Sequence, residues 1–159
     1  CSSDLRHRHW RAPCIPGTGA AGGTGGGMLG LFNTTVRPGI ELVLDLTHGR
    51  EACAWADVII TGEGSIDSQT PYGKVPSGIA KLAQSQGKPT IAIGGTVTRD
   101  PHTIEALNET GIVATFGIAP GPADLATLIA NTERNVEITC AAIASTLRIT
   151  AATSPCESA

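Results

Sequence analysis

The chain has 159 residues, length for one compact domain, of which 41% are hydrophobic and 16% charged. That balance excludes a disordered acidic or basic chain, because enough apolar surface is present to offset the entropy of ordering. A net charge of -3 leaves little from which to build a basic face for nucleic acid, and no run of about 18 apolar residues supplies a transmembrane helix. With 3% aromatics, any core is built from Ala, Val, Ile and Leu.

Residues 1–15 show no helical or strand periodicity, lack the apolar segment of a signal peptide, and are set aside as a non-native or disordered leader. Gly17 to Gly27, GTGAAGGTGGG, reads as a glycine-dense loop leading into MLGLF. IELVLDL at 40–46 fits a short strand or one helical face, and EACAWA at 51–56 prefers helix. DVIIT at 57–61 has the β-branched run of a buried parallel strand, ending in Gly62-Glu63-Gly64. A polar loop follows, and Pro76 then opens a helix that Gly87 stops. TIAIGG at 90–95 is a second strand, HTIEALNETG at 102–111 a short helix, and IVATFGI at 112–118 a third strand. Residues 123–148 form one or two helices with Leu125, Leu128, Ile129, Val136, Cys140, Ile143 and Leu147 at helical spacing; 150–159 read as a frayed tail.

Alternating strands and helices imply right-handed crossovers, hence an α/β fold of three layers: a mostly parallel sheet with helices on both faces, spanning 16–149. Ligands of such sheets bind beyond the carboxyl ends of the strands, which selects the loops at 62–75, 94–101 and 117–122. The five cysteines are odd in number and lack C-x-x-C spacing. They read as reduced thiols of a cytoplasmic protein, with Cys53 and Cys140 as small buried hydrophobes.

The loop T-G-E-G-S-I-D-S-Q-T-P-Y-G-K, residues 61–74, carries most of the chemistry. Gly62 and Gly64 permit close ligand approach. Glu63 and Asp67 place two carboxylates beside a strand end, suited to a divalent cation or to polarising a hydroxyl. Gln69 and Thr70 can orient oxygens, and Lys74 sets a positive charge just before a helix N-terminus, where free N–H groups also favour an anion. Phosphoryl transfer needs this combination, since its barrier falls mainly through positioning and charge neutralisation. The competing reading is a well-capped polar loop with a solvated lysine. Gly17, Gly19, Gly22 and Gly23 resemble a phosphate cradle, yet no G-K-[ST] follows and no strand clearly precedes them, so a flexible connection fits equally well.

The run GTGAAGGTGGG, then RPGIELVL at 37–44, ADVIITGEGSIDSQTPYGKVPSGIA at 56–80, IAIGG, and Asn135-Val136 together resemble the carboxyl-terminal part of the class I glycerate kinases. The resemblance covers about 17–148. It implies part of a two-domain α/β fold with its active site in a cleft. It also implies transfer of a phosphoryl group from ATP, with Mg2+, to D-glycerate, giving 2-phosphoglycerate. Glu63, Asp67, Gln69, Thr70, Gly73 and Lys74 match the family pattern position by position. Which of these is the base and which holds metal the resemblance leaves open; the hypothesis is that Asp67 polarises the glycerate hydroxyl or binds Mg2+, Glu63 assists the metal, Lys74 neutralises the transferring phosphate, and the glycines at 17–27 line a nucleotide or substrate phosphate.

Two departures qualify it. Family members are much longer and carry an amino-terminal D-S-F-K-G-S-L-S segment that is not in this sequence, and Ser65 stands where many relatives have Arg. The expectation is a fragment that is inactive in isolation and whose partner is the missing amino-terminal half of the same enzyme. The alternative is a non-catalytic α/β module that binds an anionic or phosphorylated metabolite.

Overall fold

A computed structural model describes residues 18–153, so the leader at 1–15, residues 16 and 17, and residues 154–159 lie outside it. The chain forms two compact units that divide between Thr47 and His48.

In the first unit, α1 spans Ala20–Leu31, and α2 spans Gly39–Leu46. The glycine-dense run is therefore largely helical and not the loop expected. It is interrupted at its start, where Ala21, Gly22 and Gly23 all take left-handed backbone (φ 50, 67 and 88°) before the helix resumes. Glycine adopts that conformation at no steric cost, which accounts for Gly22 and Gly23, whereas Ala21 carries its Cβ into it. The segment left open between strand and helix is helix α2. Arg37 bridges Glu41, one turn on, and Asp45, and this reinforces the helical spacing.

The second unit begins with α3 (Gly49–Trp55), then alternates β1 (Ile59–Ile66), α4 (Val75–Ser85), β2 (Thr90–Val97), α5 (Pro101–Glu109) and β3 (Ile112–Gly117), and closes with α6 (Leu125–Ala130) and α7 (Thr132–Thr153). The three strands are parallel in the order β1-β2-β3. Ile66, Ala80, Ala92, Leu107 and Ile112 form the core between the sheet and the crossover helices α4 and α5. The next residue along β2, Ile93, lines a cavity with residues of α6 and α7. Consecutive strand residues point to opposite faces, so helices cover both, giving the three-layer α/β fold expected.

Strand β1 does not stop at Gly62 as its sequence implied. It runs on through Glu63 and Gly64 to Ile66, paired to β2 by Gly62 with Ile93, Glu63 with Gly94, and Ile66 with Val97. The glycines here are strand residues. A Cβ on Gly62 would sit 2.8 Å from Ile93, and one on Gly94 would sit 2.7 Å from the Thr96 carbonyl, so their bare backbones let neighbouring atoms close up. Helix punctuation follows the sequence more closely. Pro76 occupies the first turn of α4, and Gly87 and Gly111 after α4 and α5 have φ of 69 and 97°. Asp100 and Asp124 each accept the N–H and hydroxyl of the threonine three residues on, capping α5 and α6 and holding both carboxyls below the usual range. Helix α7 continues to Thr153, so the expected tail includes its last turn. Cys53 and Cys140 are free thiols, buried and half-buried, and among the described residues no helix is long and apolar enough to cross a membrane.

Leu107 is 1% exposed and Val113 is 62% exposed. Leu107→Ala should therefore cost about 2–5 kcal/mol in urea unfolding and Val113→Ala under about 1 kcal/mol; equal costs would contradict this placement of the core.

Candidate active site

The site is built from the carboxyl end of β1, the loop after it and the first residue of the turn into α4. Glu63 is fixed by the strand ladder. Asp67, just past the strand end, folds the loop on itself: its Oδ1 accepts the N–H of Gln69 at 2.9 Å, and its carbonyl accepts the N–H of Thr70 at 3.0 Å. Thr70 is fully buried. Its hydroxyl accepts the Asp67 N–H at 3.0 Å and donates to Glu63 Oε1 at 2.6 Å, so one threonine locks both acidic residues into a single frame.

Lys74 completes the frame. Gly73 has φ of 103°, a conformation favoured by glycine, immediately before Lys74 caps α4. The Lys74 carbonyl accepts from the Ser77 hydroxyl, while its ammonium lies 3.1 Å from Asp67 Oδ1 and 3.6 Å from Glu63 Oε2. All three charged side chains are partly exposed, at 31% for Lys74, 20% for Glu63 and 41% for Asp67, so the cluster faces solvent on one side. The Gln69 N–H, then the Lys74 ammonium, hold the Asp67 carboxyl below its ordinary value. The hydrogen bond to Asp67, with the charge of Glu63, raises that of Lys74.

Glu63 also borders a cavity of about 480 Å³, formed by Gly64, Ile93 and Gly95 of the sheet, Ile118 after β3, and residues of α6 and α7 including Leu128, Asn135 and Val136. Sequence reading selected the glycines and placed Leu128, Ile129 and Val136 only at helical spacing, with Asn135-Val136 entering through the family resemblance. The signal available for Asn135 was a polar residue beside Val136 in an otherwise apolar spacing.

Glu63, Asp67, Thr70 and Lys74 are thus brought together, with Gly62, Gly64 and Gly73 shaping the backbone around them. Gln69 contributes its main-chain N–H, while its side chain is exposed. Gly19, Gly22 and Gly23 belong to the first unit, and Gly17 lies outside the described residues.

The family described as the glycerate kinase family matches residues 3–148. The chain belongs to the glycerate kinase family. It is 44% identical over 135 residues to a Bacillus cereus glycerate kinase, an alignment that covers 85% of this chain and 35% of the relative. To the Halalkalibacterium halodurans glycerate kinase it is 48% identical over 106 residues, covering 67% and 27%. A crystal structure from Salmonella typhimurium LT2 assigned as a glycerate kinase 2 matches with a TM-score of 0.63 at 38% identity, over 84% of this chain and 33% of that one. The chain therefore spans about a third or less of the length of the glycerate kinases it matches.

Asp67 contributes stability fully above its unfolded value, near 3.8, and that contribution is lost as pH falls through its lowered folded value. A carbon-detected NMR titration should place the Asp67 midpoint below 3.8, and Lys74→Met should move it part of the way back, since the Gln69 N–H remains. A midpoint insensitive to Lys74 would refute the coupling. Thr70→Val, which unties Glu63 from Asp67, should cost about 1–3 kcal/mol in the same denaturation assay.

Proposed function

We propose that this segment supplies the phosphoryl-transfer groups of a kinase that uses ATP to phosphorylate D-glycerate at its 2-hydroxyl, giving 2-phosphoglycerate. The observation that carries the reading is the Lys74 ammonium held between Glu63 and Asp67 at the carboxyl end of β1. A phosphoryl group in transfer spreads negative charge over its oxygens, and barrier lowering comes chiefly from positioned opposite charge. Lys74 is preorganised for this role: its position opens α4, whose first-turn N–H groups point the same way as the helix dipole favours. Its raised value keeps it cationic throughout the neutral range.

Asp67 is held anionic, so its role is to accept a hydrogen bond from the glycerate hydroxyl and orient that oxygen for attack. Glu63, pinned by Thr70 through one oxygen, has its other oxygen directed toward Lys74. Two carboxylates suit Mg2+, which commonly binds through one or two carboxylates and completes its shell with water and substrate phosphates. Among the described residues no cluster of three or more His, Cys, Asp or Glu offers a fuller protein cage. Glu63 and Asp67 would hold the ion, and when bound it would neutralise charge on the nucleotide phosphates.

In a full-length chain carrying this segment, Asp67→Asn and Lys74→Ala should each lower kcat for 2-phosphoglycerate formation by about 100-fold or more, with Tm within a few degrees of wild type. Product is followed by phosphorus NMR. Turnover within about twofold of wild type removes the residue from the mechanism. Saturable nucleotide binding without any turnover would favour a non-catalytic metabolite-binding module instead.

A further inference from the structure

Thr70 offers a hydroxyl that could orient a ligand's oxygens, but the side chain is fully buried, so a ligand arriving from solvent does not meet it. A hydroxyl carries one hydrogen, and here that hydrogen is donated to Glu63 Oε1, while the oxygen accepts the Asp67 main-chain N–H. The oxygen that Thr70 orients belongs to the protein itself.

The contacts close into a ring. Thr70 donates to one oxygen of Glu63, and the other oxygen faces the Lys74 ammonium at 3.6 Å. That ammonium reaches Asp67 Oδ1 at 3.1 Å, and the Asp67 N–H returns to Thr70. The links are unequal. Those through Lys74 join partly exposed groups, where water and salt weaken an ion pair and an incoming anion competes for the same ammonium. The link from Thr70 to Glu63 is charge-assisted and shielded from solvent at its donor. In the proposed reaction Lys74 turns its charge to the transferring phosphoryl group, and its hold on the carboxylates slackens at that moment. The β1 ladder fixes the Glu63 backbone but not its carboxylate, which then depends on Thr70.

Resting on the phosphoryl-transfer reading above, we infer that Thr70 is a positioning residue of that reaction, its buried hydroxyl holding the Glu63 carboxylate in one orientation while phosphate engages Lys74. The benefit is preorganisation. A group already aligned needs no rearrangement as charge develops, and a misplacement of about 1 Å can cost on the order of 100-fold in rate.

Two substitutions in a full-length chain carrying this segment separate the hydroxyl from the packing. Thr70→Val keeps the shape and removes the hydroxyl; Thr70→Ser keeps the hydroxyl and removes a buried methyl. Both should lower Tm, and kcat for 2-phosphoglycerate formation is read well below either melting point. Thr70→Val should lower kcat by about tenfold, with KM for ATP and glycerate changed by less than about threefold, whereas Thr70→Ser should keep kcat within about threefold of wild type. A purely structural threonine would instead make kcat follow Tm. Because Thr70 acts through Glu63, adding Thr70→Val to Glu63→Ala should lower kcat by less than about twofold further.

A Thr70→Val enzyme within about twofold of wild type, a Thr70→Ser enzyme as slow as Thr70→Val, or an undiminished loss in the Glu63→Ala background overturns the positioning role. Lys74→Ala in the same chain tells the two readings apart. If it is slowed about 100-fold and Thr70→Val is not slowed, the phosphoryl-transfer reading stands and the role of Thr70 alone falls. If Lys74→Ala turns over within about twofold of wild type, the underlying reading falls and takes the role of Thr70 with it.

Discussion

A single ammonium shared by two carboxylates organises the functional end of this fold. Glu63 and Asp67 both lie within 4 Å of the same ammonium, so without it their like charges would face one another uncompensated. Lys74 removes that conflict and leaves the cluster one charge short of neutral, still able to attract a cation while offering its own charge to an anion. Thr70 makes the arrangement rigid. Buried and bonded to both acidic residues, it converts a short polar loop into a fixed scaffold whose charged tips remain in contact with water.

The scaffold depends in turn on where strand β1 ends. The ladder to β2 carries Glu63 on regular strand backbone, and the loop proper begins only at Asp67. A carboxylate on a strand is held more tightly than one on a loop, which suits a group that must keep its place while a ligand arrives. The glycines around it divide by purpose. Gly62, Gly94 and Gly95 let adjacent backbones close up, whereas Gly73 turns the chain so that Lys74 faces back toward the acids.

Much of this was legible in the sequence. The β-branched runs DVIIT, TIAIGG and IVATFGI, with helical spacing between them, identify the parallel sheet, and the acid–lysine spacing identifies the cluster. What failed has physical causes. Glycine is read as punctuation, yet Gly62 and Gly64 lie inside a strand because β2 pairs across them, a tertiary effect that no local propensity contains. The same habit made a loop of 17–27, where the helix resumes after a left-handed interruption at 21–23. The cavity was invisible because its walls come from β1, β2 and two helices some 60–70 residues further on, brought together only by the fold.

The sheet has one further property. Its strands are all parallel, each reaching its neighbour through an intervening helix, and no hairpin exists among the three. No pair can therefore zip from a tight turn; β1 meets β2 only after α4 has formed or docked. Such non-local pairing slows assembly, because chain entropy is lost before the ladder repays it. The residues that make the acid–lysine cluster sit on the first of these crossovers, so the chemistry-bearing corner and the earliest closed loop of the sheet are the same piece of polypeptide.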